Sequence, residues 1–384
     1  MRRSPGNYCR LRTRRPESTL SPTLFCRPRA GARTSPGGAV SSITTQPCPL
    51  SNLHSIDAAC AHRQSSSMFN PLRLSLLAML FLIPAHAPAG DVPASTDPRS
   101  GSATIWGVYT GADLKDFADY EHWIGKPAGA ILGYTGQASW ADYDGSVPWA
   151  MGHFSKLDRR VLWSIPLIPN GANLADAAKG LYNDHYKKAA QALATWHPSE
   201  PILYIRSAWE FNGDWMPWAA KDHQKEFIGA WQQFVKTFRS ISPRFRFDWC
   251  PAGAGYFPMK AEDAYPGDDY VDIIGIDIYD QTKWTNFKDP VERWDKLTLN
   301  GPYGLVWHRD FAKAHNKPMS YPEWGAGGND SHDNPCFVQH MHDWFVANHI
   351  VYESYWQSNS AYPGKLSADQ YPLAAAKYKE LFGQ

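Results

Sequence analysis

The chain has 384 residues and a formal net charge of +1, but that near-neutral figure joins two unlike parts. Residues 1–67 hold ten arginines and no lysine against Glu17 and Asp57, a net +8, whereas the residues after Ala89 are acidic by eight charges and contain all 17 tryptophans. A stretch so poor in large apolar groups and so rich in Ser, Pro, Gly and Arg buries too little surface to offset its chain entropy, which excludes it from a packed core. Residues 1–67 are therefore expected to be a disordered basic leader.

Met68 follows, then Arg73, an apolar run from Leu74 to Pro84, and Ala87-Pro88-Ala89. A basic start, a short apolar stretch and an A-x-A-like site form the order of a secretory signal peptide. The run is shorter than the roughly 20 apolar residues of a membrane span. Residues 68–89 are read as a signal peptide, which implies a secreted or periplasmic product without stable membrane insertion. Such a signal works from a chain start, so Met68 is expected to be the true start, with residues 1–67 upstream of it. The Arg-rich leader on its own suggests nucleic acid, but with the leader gone no nucleic-acid partner is expected.

Residues 90–384 suit one large domain, since α/β barrels often reach this size undivided. In chain order, short apolar runs predict strands near Thr104 to Thr110, Ala128 to Tyr134, Val161 to Ile168, Ile202 to Ala208, Phe245 to Trp249, Val271 to Tyr279, Pro318 to Tyr321 and Val351 to Trp356. Between them, apolar residues recur at helical spacing: Tyr182, Tyr186, Ala189, Leu193 and Trp196; Phe227, Trp231, Phe234 and Phe238; then Phe337, Met341, Trp344 and Asn348. Strand signals that each leave room for a helix point to parallel strands with right-handed crossovers. Gly107, Gly111 and Gly125 do not make the G-x-G-x-x-G turn of a dinucleotide-binding open sheet, so a (β/α)8 TIM barrel is the expected fold.

Beyond the signal only Cys250 and Cys336 remain, which is neither a disulfide framework nor a zinc pattern; they either pair or stay as two buried thiols. Of His332, His340, His342 and His349, His340 and His342 are two apart on a predicted helix and share no face, so no metal is expected. There is no G-x-S-x-G elbow of an α/β-hydrolase esterase.

In a barrel, chemistry sits at the C-terminal ends of strands. The fourth strand runs out through Arg206-Ser207-Ala208-Trp209-Glu210-Phe211-Asn212-Gly213-Asp214-Trp215-Met216-Pro217-Trp218, and the seventh through Ser320-Tyr321-Pro322-Glu323-Trp324-Gly325. Each delivers a carboxylate to the same rim. Paired carboxylates are what glycoside hydrolysis requires: one protonates the leaving oxygen and the other attacks or stabilises the oxocarbenium-like centre, at a separation of about 5–5.5 Å in a retaining enzyme.

Arg206-x-x-x-Glu210-x-Asn212-Gly213-x-Trp215 resembles the acid/base motif of glycoside hydrolase family 26, whose best-known members are β-mannanases. Tyr265 through Tyr279 is similar to that family's sixth-strand segment, and Lys317-Pro318 through Glu323-x-Gly325 to its nucleophile strand. The resemblance implies a retaining barrel glycosidase with Glu210 as acid/base and Glu323 as nucleophile. It further implies that Tyr279 hydrogen-bonds Glu323, that Trp356 forms the floor under the cleaved sugar, that Trp215 stands beside the scissile bond, and that Asn212 belongs to the substrate-binding set. One position departs: the family usually carries His before the acid/base, where this chain has Trp209, so mechanism transfers more directly than mannan specificity.

Chemistry adds to this. Glu210 must hold its proton near neutral pH, so a raised pKa is expected from the nearby Glu323 charge and partial burial. Arg206 either holds Glu323 ionised or forms an interior ion pair without a substrate role. Asp277, on the face of Tyr279, either touches sugar hydroxyls or completes a polar network. Trp218 and Trp284 are candidates for outer subsites, since sugar C–H faces pack on aromatic rings.

The expected protein is an exported monomeric retaining endo-β-glycosidase that needs no cofactor and acts on a polysaccharide or oligosaccharide. β-Mannan is the first substrate; β-glucan, xylan or a bacterial exopolysaccharide follows, and the rival of another class is a non-catalytic glycan-binding protein. An acidic surface favours a neutral glycan.

Overall fold

The apolar runs form eight strands: β1 (Ile105–Tyr109), β2 (Ala130–Tyr134), β3 (Arg160–Ile165), β4 (Leu203–Ser207), β5 (Phe245–Trp249), β6 (Ile273–Tyr279), β7 (Met319–Gly325) and β8 (Tyr352–Trp356). In the computed structural model, which describes residues 103–283, 285–327 and 333–384, they close into one parallel barrel in chain order, with β8 bonded back to β1. The expected TIM barrel is thus present. The leader, the signal segment, Trp284 and His332 lie outside the described residues.

Each strand puts alternate residues into the barrel and the others under the helices, as a period of two requires. Ala130 and Leu132 of β2, Leu162 of β3, Tyr204 of β4, Ile273 of β6 and Tyr352 of β8 fill the lower interior. The outward set meets the helical stripes. Helix Gln224–Arg239 buries Phe227, Trp231, Phe234 and Phe238 as expected, together with Ala230 and Val235. Helix Asn183–Ala194 buries Tyr186, Ala189 and Leu193, while Tyr182 stands at its N-cap and Trp196 beyond its end. Helix Pro335–Asn348 buries Phe337, Met341 and Trp344; its stripe continues through Phe345 rather than Asn348, whose side chain bonds back to the Trp344 carbonyl. His340 stacks on Trp294 and His342 on Trp106, so both serve aromatic packing.

Two polar features lie in this apolar frame. Asp248 of β5 is buried in the barrel, where Ser320 Oγ and Tyr352 Oη donate to its Oδ2; burial pushes its pKa up to about 6 against those hydrogen bonds. Glu353 of β8 points outward, accepting from Trp324 Nε1 and from Gly107 N, and burial raises it to about 8. Cys250 is an unbridged buried thiol 3.2 Å from Asp277 Oδ1 and does not pair with Cys336, which is not a second free thiol, so neither arrangement open to the two is the one adopted.

The seventh strand departs most from its expected form. It does not stop at Tyr321 but runs through Pro322 to Gly325. Against β6, Gly275 and Asp277 pair with Ser320 and Glu323; against β8, Glu353 and Tyr355 pair with Tyr321 and Trp324. On both sides β7 spends one more residue than its neighbour, which is a β-bulge. Proline is tolerated there because the extra residue makes no ladder bond. The bulge resets the alternation, so that Ser320 and Glu323 face inward while Tyr321 and Trp324 face the helices.

Gly275 of β6 lies against the buried acid: a Cβ there would meet Asp248 Oδ1 at 2.4 Å and Ser320 Oγ at 2.9 Å. Gly275→Ala is expected to destabilise the fold by about 1–3 kcal/mol through overpacking, read as a lower midpoint in urea unfolding with an unchanged slope.

Candidate active site

The C-terminal mouth of the barrel holds a cavity of 390 Å³ lined by Tyr109, Tyr134, Trp209, Glu210, Met216, Tyr279, Gln281, Glu323, Trp356 and Tyr362, among others. Both carboxylates selected from the sequence therefore face one space, and each arrives by a different local device.

Glu323 comes inward through the β7 bulge and is fixed by donors. Arg206 Nη2 lies 2.7 Å from its Oε1, Tyr134 Oη donates to the same oxygen, and Tyr279 Oη donates to Oε2 at 2.6 Å. Every one of these partners is a donor, the setting that suits a carboxylate anion.

Arg206 is itself fully buried. Its Nη1 reaches both oxygens of Asp277 at 2.8 Å, Nε donates to Ser164 Oγ at 3.0 Å, and Nη2 donates to Tyr134 Oη at 2.6 Å. Burial works against its charge, but Asp277, Tyr134 and Glu323 outweigh burial and hold the guanidinium above its ordinary value. The two readings of Arg206 merge: it is an interior ion pair, and one of its partners is Glu323. Asp277 is buried against Arg206 and the Cys250 thiol and does not line the cavity. Of its two readings the polar network is the one the fold displays.

Glu210 is placed by a turn, not by a strand end. β4 stops at Ser207, and Ala208 and Glu210 both take left-handed backbone, with φ of 49° and 56°. Such residues cost of order 1–2 kcal/mol each outside glycine. The turn is pinned by Glu210 N donating to the Cys250 carbonyl at 2.8 Å and by Gly213 N donating back to the Glu210 carbonyl at 3.0 Å. Trp215 Nε1 donates to Glu210 Oε2 at 2.7 Å. Gly213 makes that fold-back possible, because a Cβ there would lie 2.3 Å from the Trp215 ring. Burial first, and then the Glu323 charge, raise Glu210 to about 7, against the Trp215 hydrogen bond and Arg206, which lower it. The direction matches the sequence argument, with the order of the two causes reversed.

Asn212 and Trp218 do not reach the cavity. Asn212 is fully buried, its Nδ2 donating to the Ala252 carbonyl at 3.0 Å and its Oδ1 accepting from Ala252 N at 2.8 Å. It ties the turn after β4 to the segment after β5, and its full burial keeps it from a sugar. Trp218, expected at an outer subsite, is a core residue whose Nε1 donates to the Trp209 carbonyl. Trp356 does line the cavity, stacked on Tyr109 with ring centroids 4.1 Å apart. Trp209 lies edge-on to Tyr134 at 5.3 Å, with the Arg206 guanidinium 5.2 Å from its ring.

Tyr134 and Tyr109 were not selected from the sequence. Strand parity marks them: Tyr134 shares the inward face of Ala130 and Leu132, and Tyr109 closes β1 as Trp356 closes β8. A second cavity of 390 Å³ adjoins the first across Tyr134 and Trp209 and is lined by polar groups of Gln137, Asp142 and Asn170.

Residues 173–335 match the family model described as "Glycosyl hydrolase family 26", a span that contains Arg206, Glu210, Tyr279 and Glu323. The chain is 22% identical over 229 residues to endoglucanase H of Acetivibrio thermocellus, covering 55% of this chain and 23% of that protein. It thus spans about a quarter of the length of that curated relative. Among solved structures, Bacillus subtilis mannanase man26 aligns with a TM-score of 0.51 and 16% identity over 74% of this chain and 88% of that one. A family 26 β-mannanase from Bacteroides ovatus aligns with a TM-score of 0.50 and 14% identity over 74% and 90%. These identities carry the fold alone; together with the matched segment they make the chain family 26-like.

Glu210 is expected to titrate with a midpoint near 7 when its carboxyl carbon is followed by NMR. Trp215→Phe removes the donor that favours the charged form, so the midpoint should move to higher pH. No movement, or a downward one, would show that the indole does not act on Glu210.

Proposed function

We propose that this family 26-like chain is a retaining endo-β-glycanase working by double displacement. The observation that carries the reading is the contrast between two carboxyls of one cavity: Glu210 is raised to about 7, and Glu323 is surrounded by donors alone. Carboxyls held in such unlike settings divide into acid and nucleophile.

In the first step the protonated Glu210 gives its proton to the leaving oxygen while Glu323 attacks the anomeric carbon on the opposite side. Arg206, Tyr134 and Tyr279 keep the attacking carboxylate in one orientation, so little reorganisation is needed as the bond forms. In the second step Glu210, now ionised, takes a proton from water, and that water displaces Glu323 from the sugar. Because Glu210 must begin protonated, turnover should decline as pH rises through about 7. The chain works alone and without a cofactor in this reading. We also place it outside the cytoplasm, on the signal-like order from Met68 to Ala89.

β-Mannan is the first substrate, from the likeness to family 26. β-Glucan is the second, supported by the similarity to an endoglucanase and by Trp209 in the cavity wall, where the family usually has His. Reducing-sugar release from galactomannan, mixed-linkage β-glucan and xylan tests both. Glu210→Ala and Glu323→Ala should each lower release by about 10²–10⁴-fold, and NMR of the first product should show the β-anomer. Saturable binding without release from any polysaccharide would favour a glycan-binding protein, and an α-anomer would refute the assigned pairing.

Tyr134→Phe removes one donor from Glu323 and leaves the ring packing in place. It should reduce kcat about tenfold to a hundredfold with little change in KM.

A further inference from the structure

The cavity has two unlike sides. Around Glu323 stand Tyr134, Tyr279 and Trp356, which form the seat of the sugar that would be attacked. Around Glu210 stands Trp215, and because Glu210 faces the leaving oxygen, whatever continues outward from Trp215 meets the departing half of the substrate. Trp215 is 52% exposed, and the ring of Phe257 lies 6.3 Å from it. Next to Phe257 is Tyr256, which is 80% exposed.

Single exposed aromatics are common on protein surfaces. Here the Phe257 ring continues from one that is bonded to the acid, Tyr256 is its exposed chain neighbour, and the segment carrying both is fixed. Gly253 N donates to the Asp277 carbonyl at 2.8 Å, Ala254 N to the Tyr303 carbonyl at 2.8 Å, and Gly255 N to the Pro302 carbonyl at 3.2 Å. Ala254 holds left-handed backbone, at φ 50°. Phe257 is backed by Tyr303, with centroids 5.7 Å apart. The buried Asn212 pair joins this same segment to the Glu210 turn, so acid and rings are parts of one framework.

We propose that Tyr256 and Phe257 form an aromatic platform for a sugar on the leaving-group side, beyond the one at Trp215. The inference rests on the glycosidase reading. Its occupant is a neutral β-linked pyranose, whose C–H face packs on a ring already held in place and therefore at low entropy cost. The platform makes the enzyme prefer long chains over short ones and favours cleavage within a polymer.

The test uses the Glu210→Gln protein, in which the indole keeps an acceptor and turnover is suppressed, and measures calorimetric affinity for tri- and hexasaccharides of the manno-, cello- and xylo- series. Adding Tyr256→Ala and Phe257→Ala should weaken the best-bound hexasaccharide about threefold to tenfold and shrink its advantage over the trisaccharide. Tyr256→Phe with Phe257→Tyr, which keeps both rings, should restore it. Hexasaccharide affinity that is indifferent to the alanine pair would overturn the platform and leave the glycosidase reading intact. Binding of none of the sugars would bring down that reading, and the platform with it.

Discussion

Arg206 is a cation without water around it, and it must be balanced where it stands. Four other strands supply the groups: Ser164 from β3, Tyr134 from β2, Asp277 from β6 and Glu323 from β7. Removing one partner from a buried ion pair costs about 3–5 kcal/mol, because the remaining charge is left uncompensated. Glu323 is therefore part of the charge balance of the barrel as well as the proposed nucleophile. Its position is set by the closure of the sheet, since each strand of the barrel is fixed by two neighbours.

Glu210 is held quite differently. Among the described residues its side chain has one hydrogen-bond partner, the exposed Trp215, and its backbone depends on a left-handed turn anchored just past β5. A group bound to so few others can change protonation state without disturbing an ion-pair network, which suits one that alternates between acid and base. The site thus joins a rigid half, built into the sheet, to a half carried on a turn. Asn212 prevents that turn from drifting, and its role is to position rather than to bind.

Much of this was legible in the sequence because periods of two and of about 3.6 survive wherever a face is buried. All eight strands and the aromatic stripes of the helices followed from that patterning alone. The two carboxylates were legible for another reason: an acid at the end of an apolar strand, beside Asn-Gly and tryptophans, is unusual. What escaped was tertiary. Nothing local separates Trp218, a core residue, from Trp215, a rim residue three positions earlier. Asn212 carries the same motif signature whether it faces a sugar or a backbone. Tyr134 gains its meaning from Arg206 and Glu323, which are remote in sequence, and only its parity on β2 pointed inward.

The bulge in β7 has a consequence for anyone altering this strand. Side-chain direction in a strand behaves as a phase that reverses with every residue, and β7 contains a single phase slip at Pro322. Deleting one residue between Ser320 and Glu323 would remove the slip and keep both side chains inward, whereas flattening the bulge at the present length would send Glu323 toward the helices and bring Trp324 into the barrel. A substitution can weaken a site by degrees, whereas a change of phase exchanges inside for outside in one step. A redesign that restores even alternation at the present length would therefore remove the proposed nucleophile from the barrel while leaving every residue type in the strand unchanged.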